Sequence, residues 1–572
     1  MVAILTLTLL ITTSNNVFLP QWLTPEESLK VDEIGRHFYP TLPPPGWVET
    51  PAEFEPVRGV FITWIYSQSS YRPIFRDIVR EVGEVCKVYI IASAADTTSI
   101  KNYLISNNVP LDSINFYVWP YNSIWIRDYG PWFVRRHDNG QGIVDFIYNR
   151  PRPLDDTIPR CISYAWHIPF YSSPITHAGG NYMTDGLGTG FASTLIYQEN
   201  SQYTQRQVDS LMKLYCGLDQ FVVVPRINIE YTGHIDLWTK ILNDTLIMVG
   251  SYAPGHSNYA LLNANADSLS RCKNREGINY RIVRIPMPWS TSSAPPTYLN
   301  SLFVNNKILV PTWSLPEDDS ALSVYQNALP GYDVVGINCA AMSGSGGAIH
   351  CITMQVPSSK FVHIRHYYLT NISDTINPYR IRAQIITSSN LIAESTLIYY
   401  KVNSDSLYQA VPLIAVVDSQ GIYHGYIPAQ SIGDTVYYYL SVKNSQEVKR
   451  NSPKSAPVHV YSFIVRPASN ICEDDIFNWQ FSQEYSLSYP NPTRKKINFL
   501  LNIKQTTRTK IELYNILGRK VKCLLDEKLN KGNYNLSWDF TNDYNQKLPY
   551  GTYFYYITTD QRKTTGKILY LK

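Results

Sequence analysis

The chain has 572 residues, of which 44% are hydrophobic and 17% charged, with a net charge of +4. One hydrophobic core cannot organise so long a chain, and its length predicts about three or four domains. So small a net charge favours neither nucleic acid nor a membrane surface as a partner. The eight cysteines are scattered with no CxxC pair, which argues against a zinc ribbon or a thioredoxin motif and leaves one or two disulfides open.

The chain begins with an apolar run that ends near Ile11. Spanning a bilayer takes about 20 apolar residues, so we expect no membrane span, and the length suits the core of a signal peptide. We therefore interpret residues 1–17 as a signal peptide, with a misassigned start or a buried strand as the alternatives. Residues 18–47 are rich in proline, and we interpret them as a pro-segment or lead-in.

From residue 48 to 362, short apolar runs alternate with amphipathic stretches. This alternation predicts an α/β domain. The predicted strands are 59–65, 88–93, 245–250 and 307–312, and the predicted helices are 71–87 and 202–215.

Beyond residue 362 the helical periodicity disappears. Residues 363–466 contain alternating runs such as 379–386 and 435–442, and their spacing predicts a β-sandwich. Residues 467–483 are interpreted as a linker. Residues 484–572 form a further β segment, with its plainest strands at 521–525, 534–538 and 553–558.

Cys351 is the first candidate for chemistry. It follows the small residues of 344–348, which let the backbone approach closely and leave a sulfur open at the end of an element. The alternative is an inert buried thiol, which is common.

Two polar clusters upstream supply an imidazole and carboxylates. In 229–239 a strand would place His234, Asp236 and Trp238 on one face, toward a cavity or toward each other. The alternative is a core histidine beside an ion-paired aspartate. Asp128 lies just before a predicted strand break at 129–132, and its alternative role is a turn carboxylate paired with Arg127.

These residue types suit attack on a guanidinium, which is planar and always charged. Two carboxylates can hold its edges, and the ring of Trp125 can stack on its face. The thiolate of Cys351 attacks the central carbon, and His234 moves protons. A papain-type Cys–His hydrolase is the competing reading, but its local motif is absent and the cysteine comes last in this chain.

Five motifs occur in one order: WIRDYGPW at 125–132, HAGGNYMTDG at 177–186, GHID at 233–236, YLNS at 298–301 and IHCIT at 349–353. Together, over about 48–362, they resemble the Porphyromonas-type peptidyl-arginine deiminase family, a relative of the agmatine deiminases. The resemblance implies a five-bladed, pseudo-symmetric α/β propeller with a central site. It implies Cys351 as nucleophile, His234 as acid/base, Asp128 and Asp236 as guanidinium clamp, and Asn300 as a supporting polar group.

Arg150 and Arg152 bear on the substrate. In the peptide-directed family, arginines at this place receive the C-terminal carboxylate of a peptide ending in arginine, and Tyr231 would assist. The alternative is a pair of surface arginines in a proline-rigidified loop. Small-molecule relatives typically carry Glu before the Gly-Gly pair, where this chain has Ala178. That difference counts against agmatine.

The later segments carry resemblances of their own. Residues 363–466 resemble the immunoglobulin-like domain of this family. The motifs YPNP at 489–492, YNILGR at 514–519 and LPYGTYF at 548–554 resemble a type A sorting domain of the type IX secretion system. They imply export through the periplasm to the cell surface or the medium, contact with the secretion machinery, and possible removal of the tail.

Three hypotheses follow for the function. The first is an exported enzyme that converts peptidyl-arginine to peptidyl-citrulline and ammonia, with arginine-containing peptides or proteins as substrates. The second is a deiminase of small guanidines such as agmatine. The third is a non-catalytic binding protein on a deiminase scaffold. No metal-ligand motif is visible, and we expect no cofactor and no metal.

Overall fold

The computed structural model describes most of the chain beyond residue 17. The described residues are 18–227, 231–290, 292–366, 368–369, 372–416, 421–467, 486–489, 493, 496–503, 505–516, 518–530, 532–544, 546–560 and 563–571. The predicted signal peptide and nearly all of the predicted linker lie outside this set. The described chain forms two compact units, of which the first contains 18–368, 376–429 and 435–462 and the second contains 463–571, 369–375 and 430–434.

The first unit begins with an α/β region. Its strands are β1 (Val48–Glu49), β2 (Val57–Thr63), β3 (Lys87–Ala92), β4 (Ile114–Val118), β5 (Trp132–Arg136), β6 (Gln141–Ile147), β7 (Phe170–Thr176), β8 (Met183–Thr184), β9 (Thr189–Ser193), β10 (Gln220–Val224), β11 (Thr239–Asn243), β12 (Leu246–Ser251), β13 (Arg281–Pro286), β14 (Leu302–Val304), β15 (Lys307–Thr312), β16 (Asp333–Asn338) and β17 (Thr353–Pro357). Its helices are α1 (Pro25–Ser28), α2 (Arg72–Gly83), α3 (Ala94–Ser106), α4 (Ile126–Tyr129), α5 (Pro153–Asp156), α6 (Ile158–Trp166), α7 (Leu195–Gln198), α8 (Gln205–Cys216), α9 (Tyr259–Arg271) and α10 (Asp318–Ala328).

These strands form five sheets with one shared arrangement. In each sheet a first strand pairs antiparallel with a second, and the second runs parallel to a third. The triplets are β5-β6-β7, β8-β9-β10, β11-β12-β13, β14-β15-β16 and β17-β2-β3, with β1 and β4 added at the edges of two sheets. Because β17 pairs with β2, the end of this region closes onto its beginning.

A helix joins the two parallel strands in every sheet, as parallel pairing requires. These crossovers are α2, α6, α8, α9 and α10. In α2, Ile74, Phe75, Ile78, Val79 and Val82 recur at helical spacing, and all five are buried against the sheets. The second and third strands of each triplet lie in one continuous apolar core. The segments that enter these sheets are thereby held against a packed core.

The predicted elements of this region are confirmed with shifts of a few residues at their ends. The exception is the strand predicted over 229–239, of which the described residues 231–238 do not form a strand. Ile235–Leu237 forms a 3-10 turn, and the strand starts only at Thr239. His234 and Asp236 therefore do not share a strand face.

Two further sheets occupy the stretch after β17. Their strands are β18 (Val362–His366), β19 (Tyr379–Thr387), β20 (Leu397–Val402), β21 (Gln409–Pro412), β22 (Ile414–Ala415), β23 (Ile422–Ile427), β24 (Thr435–Lys443), β25 (Lys449–Ser452) and β26 (Tyr461–Ile464). One sheet has the order β18-β19-β23-β22, and the other has β21-β20-β24-β25 with β26 beside β24. The strands predicted at 379–386 and 435–442 are confirmed as β19 and β24.

The second unit contains two sheets with an apolar core of their own. Its strands are β27 (Ser486–Tyr489), β28 (Ile497–Ile503), β29 (Thr507–Asn515), β30 (Lys520–Leu529), β31 (Gly532–Trp538), β32 (Gly551–Thr558) and β33 (Lys563–Tyr570). The sheet orders are β27-β28-β31 and β30-β29-β32-β33. The three strands predicted here are confirmed, each longer than predicted.

Among the described residues, seven cysteines are all free thiols, so the disulfides left open by the sequence are not formed there. In the same part of the chain, no helix has the length and apolarity to cross a bilayer.

Candidate active site

The polar motifs lie at equivalent places in the five sheets. Each occupies the segment that leads into the first strand of its triplet: 125–128 before β5, 179–181 before β8, 234–236 before β11, 298–300 before β14 and 348–351 before β17. Residues more than a hundred positions apart in sequence thereby come within hydrogen-bond distance.

Cys351 lies where these segments meet. Asn300 Nδ2 donates to its sulfur at 3.2 Å, and the thiol lies 3.6 Å from Asp236 Oδ2. Asn300 Oδ1 accepts from the backbone N–H groups of Ala348 and Cys351 at 2.9 and 3.2 Å. Asn300 therefore fixes both the sulfur and the turn that carries it.

The two oxygens of the Asp236 carboxylate have different surroundings. Oδ2 accepts from Asn300 at 3.0 Å and from His350 Nδ1 at 2.7 Å. Oδ1 is buried and has no partner among the described residues. A buried carboxylate oxygen without a donor is costly, so Oδ1 is available to a donor that arrives with a ligand.

His350 is a site residue to which the sequence analysis gave no role. Its second nitrogen, Nε2, lies 2.7 Å from Glu53 Oε1, so the ring bridges two carboxylates. Glu53 also pairs with Lys240 and Arg127. Burial acts to raise the pKa of Glu53, but the charges of His350, Lys240 and Arg127 outweigh it and hold that pKa well below its usual range. This network holds Asp236 in place.

Asp128 and His234 stand on another side of the thiol. Asp128 Oδ1 lies 3.6 Å from His234 Nδ1 and accepts from the Gly180 N–H at 3.3 Å. The predicted alternative, a pair with Arg127, is wrong. Arg127 instead donates to the carbonyl of His350 and to Gln355.

Burial and charge set the protonation of the site. Burial and the negative charges of Asp236 and Asp128 raise the pKa of the Cys351 thiol well above its usual value. Burial lowers the pKa of His234 to about 3, so the ring is neutral at neutral pH. A cation bound between the two carboxylates would reverse their effect on the sulfur, because it cancels the charge that disfavours the thiolate.

The sequence predicted an open sulfur, and this prediction is wrong because Cys351 is fully buried. The covering group is Gln21, whose Nε2 lies 3.3 Å from Sγ and 3.0 Å from Asp128 Oδ2. Residues 18–28 thus occupy the site, and they contact the residues predicted to bind substrate.

Trp125, Arg150, Arg152 and Tyr231 all contact this N-terminal segment. Trp125 donates from Nε1 to the carbonyl of Leu19 at 2.8 Å, and Arg150 donates to that of Gln21 at 3.0 Å. Arg150 and Arg152 are buried, so the reading as surface arginines is wrong. Tyr231 is 57% exposed, and its ring lies 4.8 Å from that of Trp22.

Comparison with known proteins agrees with this geometry. Residues 49–357, more than half of the chain, match the model of the Porphyromonas-type peptidyl-arginine deiminase family. The chain belongs to this family. Its members are guanidine deiminases, hydrolases acting on the C–N bonds of linear amidines.

Individual relatives cover the same region. A Vibrio parahaemolyticus protein named "Putative agmatine deiminase" is 27% identical over 353 residues, covering 54% of this chain and 96% of its own. The solved structure of the agmatine deiminase of Enterococcus faecalis aligns at 19% identity with a TM-score of 0.50, over 56% of this chain and 100% of its own. This likeness shows the α/β fold of the guanidine-modifying enzymes.

The tail matches a second family. Residues 488–570 match the model of the secretion system C-terminal sorting domain. The protein is therefore exported, to the cell surface or as a secreted protein, and its tail addresses it to the type IX machinery.

Proposed function

We propose that this guanidine deiminase converts peptidyl-arginine, preferably a C-terminal arginine, to peptidyl-citrulline and ammonia. The observation that carries the proposal is the placement of two carboxylates, an imidazole and a thiol around one point. Asp128 and Asp236 clamp the guanidinium, with Asp236 Oδ1 free to accept from it. Trp125, at the wall of the site, lines the passage for the arginine side chain.

The chemistry proceeds in two steps. The Cys351 sulfur attacks the central guanidinium carbon as the thiol proton passes to His234; His234 then protonates the departing nitrogen, the C–N bond breaks and ammonia leaves. Water, deprotonated by His234, attacks the resulting thiouronium carbon. The C–S bond breaks, the thiol recovers its proton and citrulline forms.

The substrate's own charge assists the first step. The thiol is protonated while the carboxylates are unneutralised, since their charges and burial raise its pKa. A guanidinium between them supplies the missing positive charge next to the sulfur. The thiolate would thereby form only when a substrate is bound. Asn300 supports the sulfur through this change.

The finer architecture belongs to the same proposal. Five sheets of one strand arrangement, with β17 closing on β2, support a five-bladed pseudo-symmetric propeller over 48–362. The two sheets that follow support an immunoglobulin-like β-sandwich over 363–466. The two-sheet tail supports a second β-sandwich over 484–572.

Arg150 and Arg152 support a peptide substrate. Both are buried beside the site, where a guanidinium can pair with a carboxylate in a charge-assisted bond. Arg152 already binds a carboxylate, because Glu27 accepts from its Nε and Nη2 at 2.6 and 3.0 Å. The terminal carboxylate of a peptide can take this place. Tyr231 stands at the exposed rim.

A small guanidine such as agmatine is the second candidate. It is favoured by the name of the Vibrio relative, which is similar over the whole catalytic region. Agmatine has no carboxylate, so it could not form the charge-assisted pair with Arg150 or Arg152.

Formation of the ureido product, which is citrulline for the two peptides, is measured on three substrates and distinguishes these candidates. We expect a peptide ending in arginine to exceed both its amide and agmatine in kcat/KM. Arg150→Ala should reduce the first by about ten- to a hundredfold, the worth of a charge-assisted bond, and the others little.

Cys351→Ala, which removes the nucleophilic sulfur, serves as the inactive control. If agmatine is the best substrate, or all three fall equally in Arg150→Ala, the peptide-directed proposal is wrong. If no guanidine is turned over by any preparation, the chain is a binding protein on a deiminase scaffold.

A further inference from the structure

We propose that residues 18–28 are a built-in substrate mimic that closes the site until it is displaced. The inference rests on the proposed function, because it takes the place filled by Gln21 to be that of the substrate guanidinium. We call residues 18–28 the plug.

The side chain of Gln21 makes two of the contacts expected of a guanidinium, one with a carboxylate of the clamp and one with the nucleophile. Its Nε2 donates to Asp128 Oδ2 and to the sulfur of Cys351, and the residue is fully buried. An amide nitrogen resembles one nitrogen of a guanidinium in shape and in donating hydrogen bonds, but carries no charge. The plug therefore fills the place without neutralising the carboxylates.

Gln21 is also placed so that it does not react. It presents its nitrogen to the sulfur, at 3.3 Å. Without a positive charge between Asp128 and Asp236, the pKa of the thiol stays raised, which disfavours the attacking thiolate. The mimic thus occupies the site in its unreactive state.

The backbone of the plug is held as a peptide chain would be. The carbonyl of Leu19 accepts from Trp125, and that of Gln21 accepts from Arg150. The carbonyls of Pro20 and Trp22 both accept from Arg152. The N–H of Gln21 donates to the carbonyl of Ser345 at 3.3 Å. Contacts to the backbone do not depend on side-chain identity, so the same groups can hold the backbone of a polypeptide substrate.

Glu27 anchors the other end of the plug. Thr24 and Glu27 form a capping box that starts α1, which fixes Glu27 relative to Gln21. The Glu27 carboxylate then makes a two-bonded pair with Arg152. Burial acts to raise the pKa of Glu27, but the hydrogen bond and charge of Arg152 outweigh it, so the carboxyl stays ionised at neutral pH. The proposed receptor of the substrate carboxylate is therefore occupied.

The glycines before Cys351 make room for the plug. A Cβ added to Gly346 would lie 3.1 Å from Gln21 Cβ and 3.1 Å from the Trp22 ring. A Cβ on Gly347 would lie 2.7 Å from the Cys351 sulfur and 2.9 Å from Gln21 Oε1. The absence of side chains here thus serves a segment that packs directly over the thiol.

The chain after the plug is suited to displacement. Leu29 is 85% exposed, and residues 30–33 are exposed as well. A cavity of about 380 Å³ lies between residues 33–38 and the surface around Arg150 and Arg160, so this stretch is incompletely packed. Cleavage near Leu29 would leave the plug held by its non-covalent contacts alone.

The experiment measures access to Cys351 without relying on turnover. Full-length protein is treated with iodoacetamide, and modification of Cys351 is followed by peptide mass spectrometry. Gln21→Ala combined with Glu27→Ala should raise the alkylation rate at least tenfold, because charge-assisted contacts to Asp128 and Arg152 are lost. The same variant should raise kcat/KM for arginine peptides at least tenfold.

Glu26→Ala is the matched control. Glu26 is the exposed neighbour of Glu27 in the same helix, and we expect the wild-type rates. As a second test, a site for a sequence-specific protease is inserted between Leu29 and Lys30. Cleavage should raise both rates, and added peptide 18–28 should lower them again.

The outcomes separate this inference from the proposed function. Unchanged alkylation of Cys351 in the double variant and after cleavage would overturn the inference. Increased alkylation with no turnover of any guanidine would support the plug and overturn the proposed function. Full turnover by the intact protein, equal to that of the cleaved form, would keep the function and overturn the plug.

Discussion

The two oxygens of the Asp236 carboxylate have different roles. Oδ2 is held by Asn300 and His350, while Oδ1 is buried and has no partner in the described structure. Oδ2 thus holds the carboxylate in position, and Oδ1 is available to accept a hydrogen bond from a ligand. Asp128 differs, since Gly180 and Gln21 each bond one of its oxygens. Displacing Gln21 would give the site a second free acceptor.

The protonation of Cys351 is a residue-scale prediction. Burial and the charges of Asp236 and Asp128 raise the pKa of its thiol well above the usual value. The thiol form therefore persists below that raised pKa, and the thiolate fraction grows tenfold per pH unit. We expect the alkylation rate of Cys351 to rise tenfold for each pH unit from pH 7 to 9, without a plateau.

Asp236→Asn should move this rise to lower pH, because it removes one of the charges that disfavours the thiolate. Cys339 provides an internal control, since burial, with a contribution from Asp77, raises the pKa of its thiol, and Asp236 is not among the causes. A Cys351 profile that stays unchanged in Asp236→Asn would contradict the assigned electrostatics.

At the scale of elements, the site is made of turns rather than of strand faces. The five segments that enter the first strands of the sheets supply its side chains. Gly180 lies in one of these turns, where an added Cβ would be 2.6 Å from His234 Nδ1 and 3.0 Å from Asp128 Oδ1. The missing side chain keeps these groups close together.

We expect Gly180→Ala to reduce kcat/KM for arginine peptides by about a hundredfold or more, because displacements of about 1 Å at reacting groups cost that much. Overpacking of this kind also costs about 1–3 kcal/mol of stability, so the thermal midpoint should fall modestly. Circular dichroism and steady-state kinetics measure the two effects.

Gly83→Ala is the control for this substitution. Gly83 ends α2, and an added Cβ there meets only Ser113, at 3.7 Å. Alanine is favoured over glycine in helices by about 1 kcal/mol, so activity should stay and stability should not fall. Full activity in Gly180→Ala would show that the turn containing Gly180 does not position the reacting groups.

The elements were largely predictable from the sequence, and the turns of the site were not. Strands such as β15 (Lys307–Thr312) are apolar runs that pack into the core, so local pattern and tertiary environment agree. Alternation around His234 suggested a strand, but Ile235–Leu237 forms a turn in which Asp236 meets Asn300 and His350 from the segments before other sheets. The local sequence pattern does not contain these partners, which are distant along the chain.

The plug shows the same limit for the whole molecule. Residues 18–47 looked like an undistinguished proline-rich lead-in, and nothing in their composition indicates binding to the site. Gln21 and Cys351 are 330 positions apart, so their contact depends on the complete fold. The family motifs, by contrast, contain Cys351, Asn300 and both carboxylates, and also His350, for which no role was predicted; Glu53 lies outside them.

The secretion tail gives a prediction for the whole molecule. Its strands pack around an apolar core separate from that of the catalytic region, and its match to sorting domains spans 488–570. Deleting residues 484–572 should therefore retain the protein in the periplasm without lowering its intrinsic kcat/KM. Cell fractionation and assays of citrulline formation, in a bacterium with this secretion system, measure the two effects. Cys351→Ala with an intact tail is the opposite control, because it should reach the surface and be inactive. A truncated protein at the surface, or one that has lost its intrinsic activity, would show that the tail does not act as a separate address.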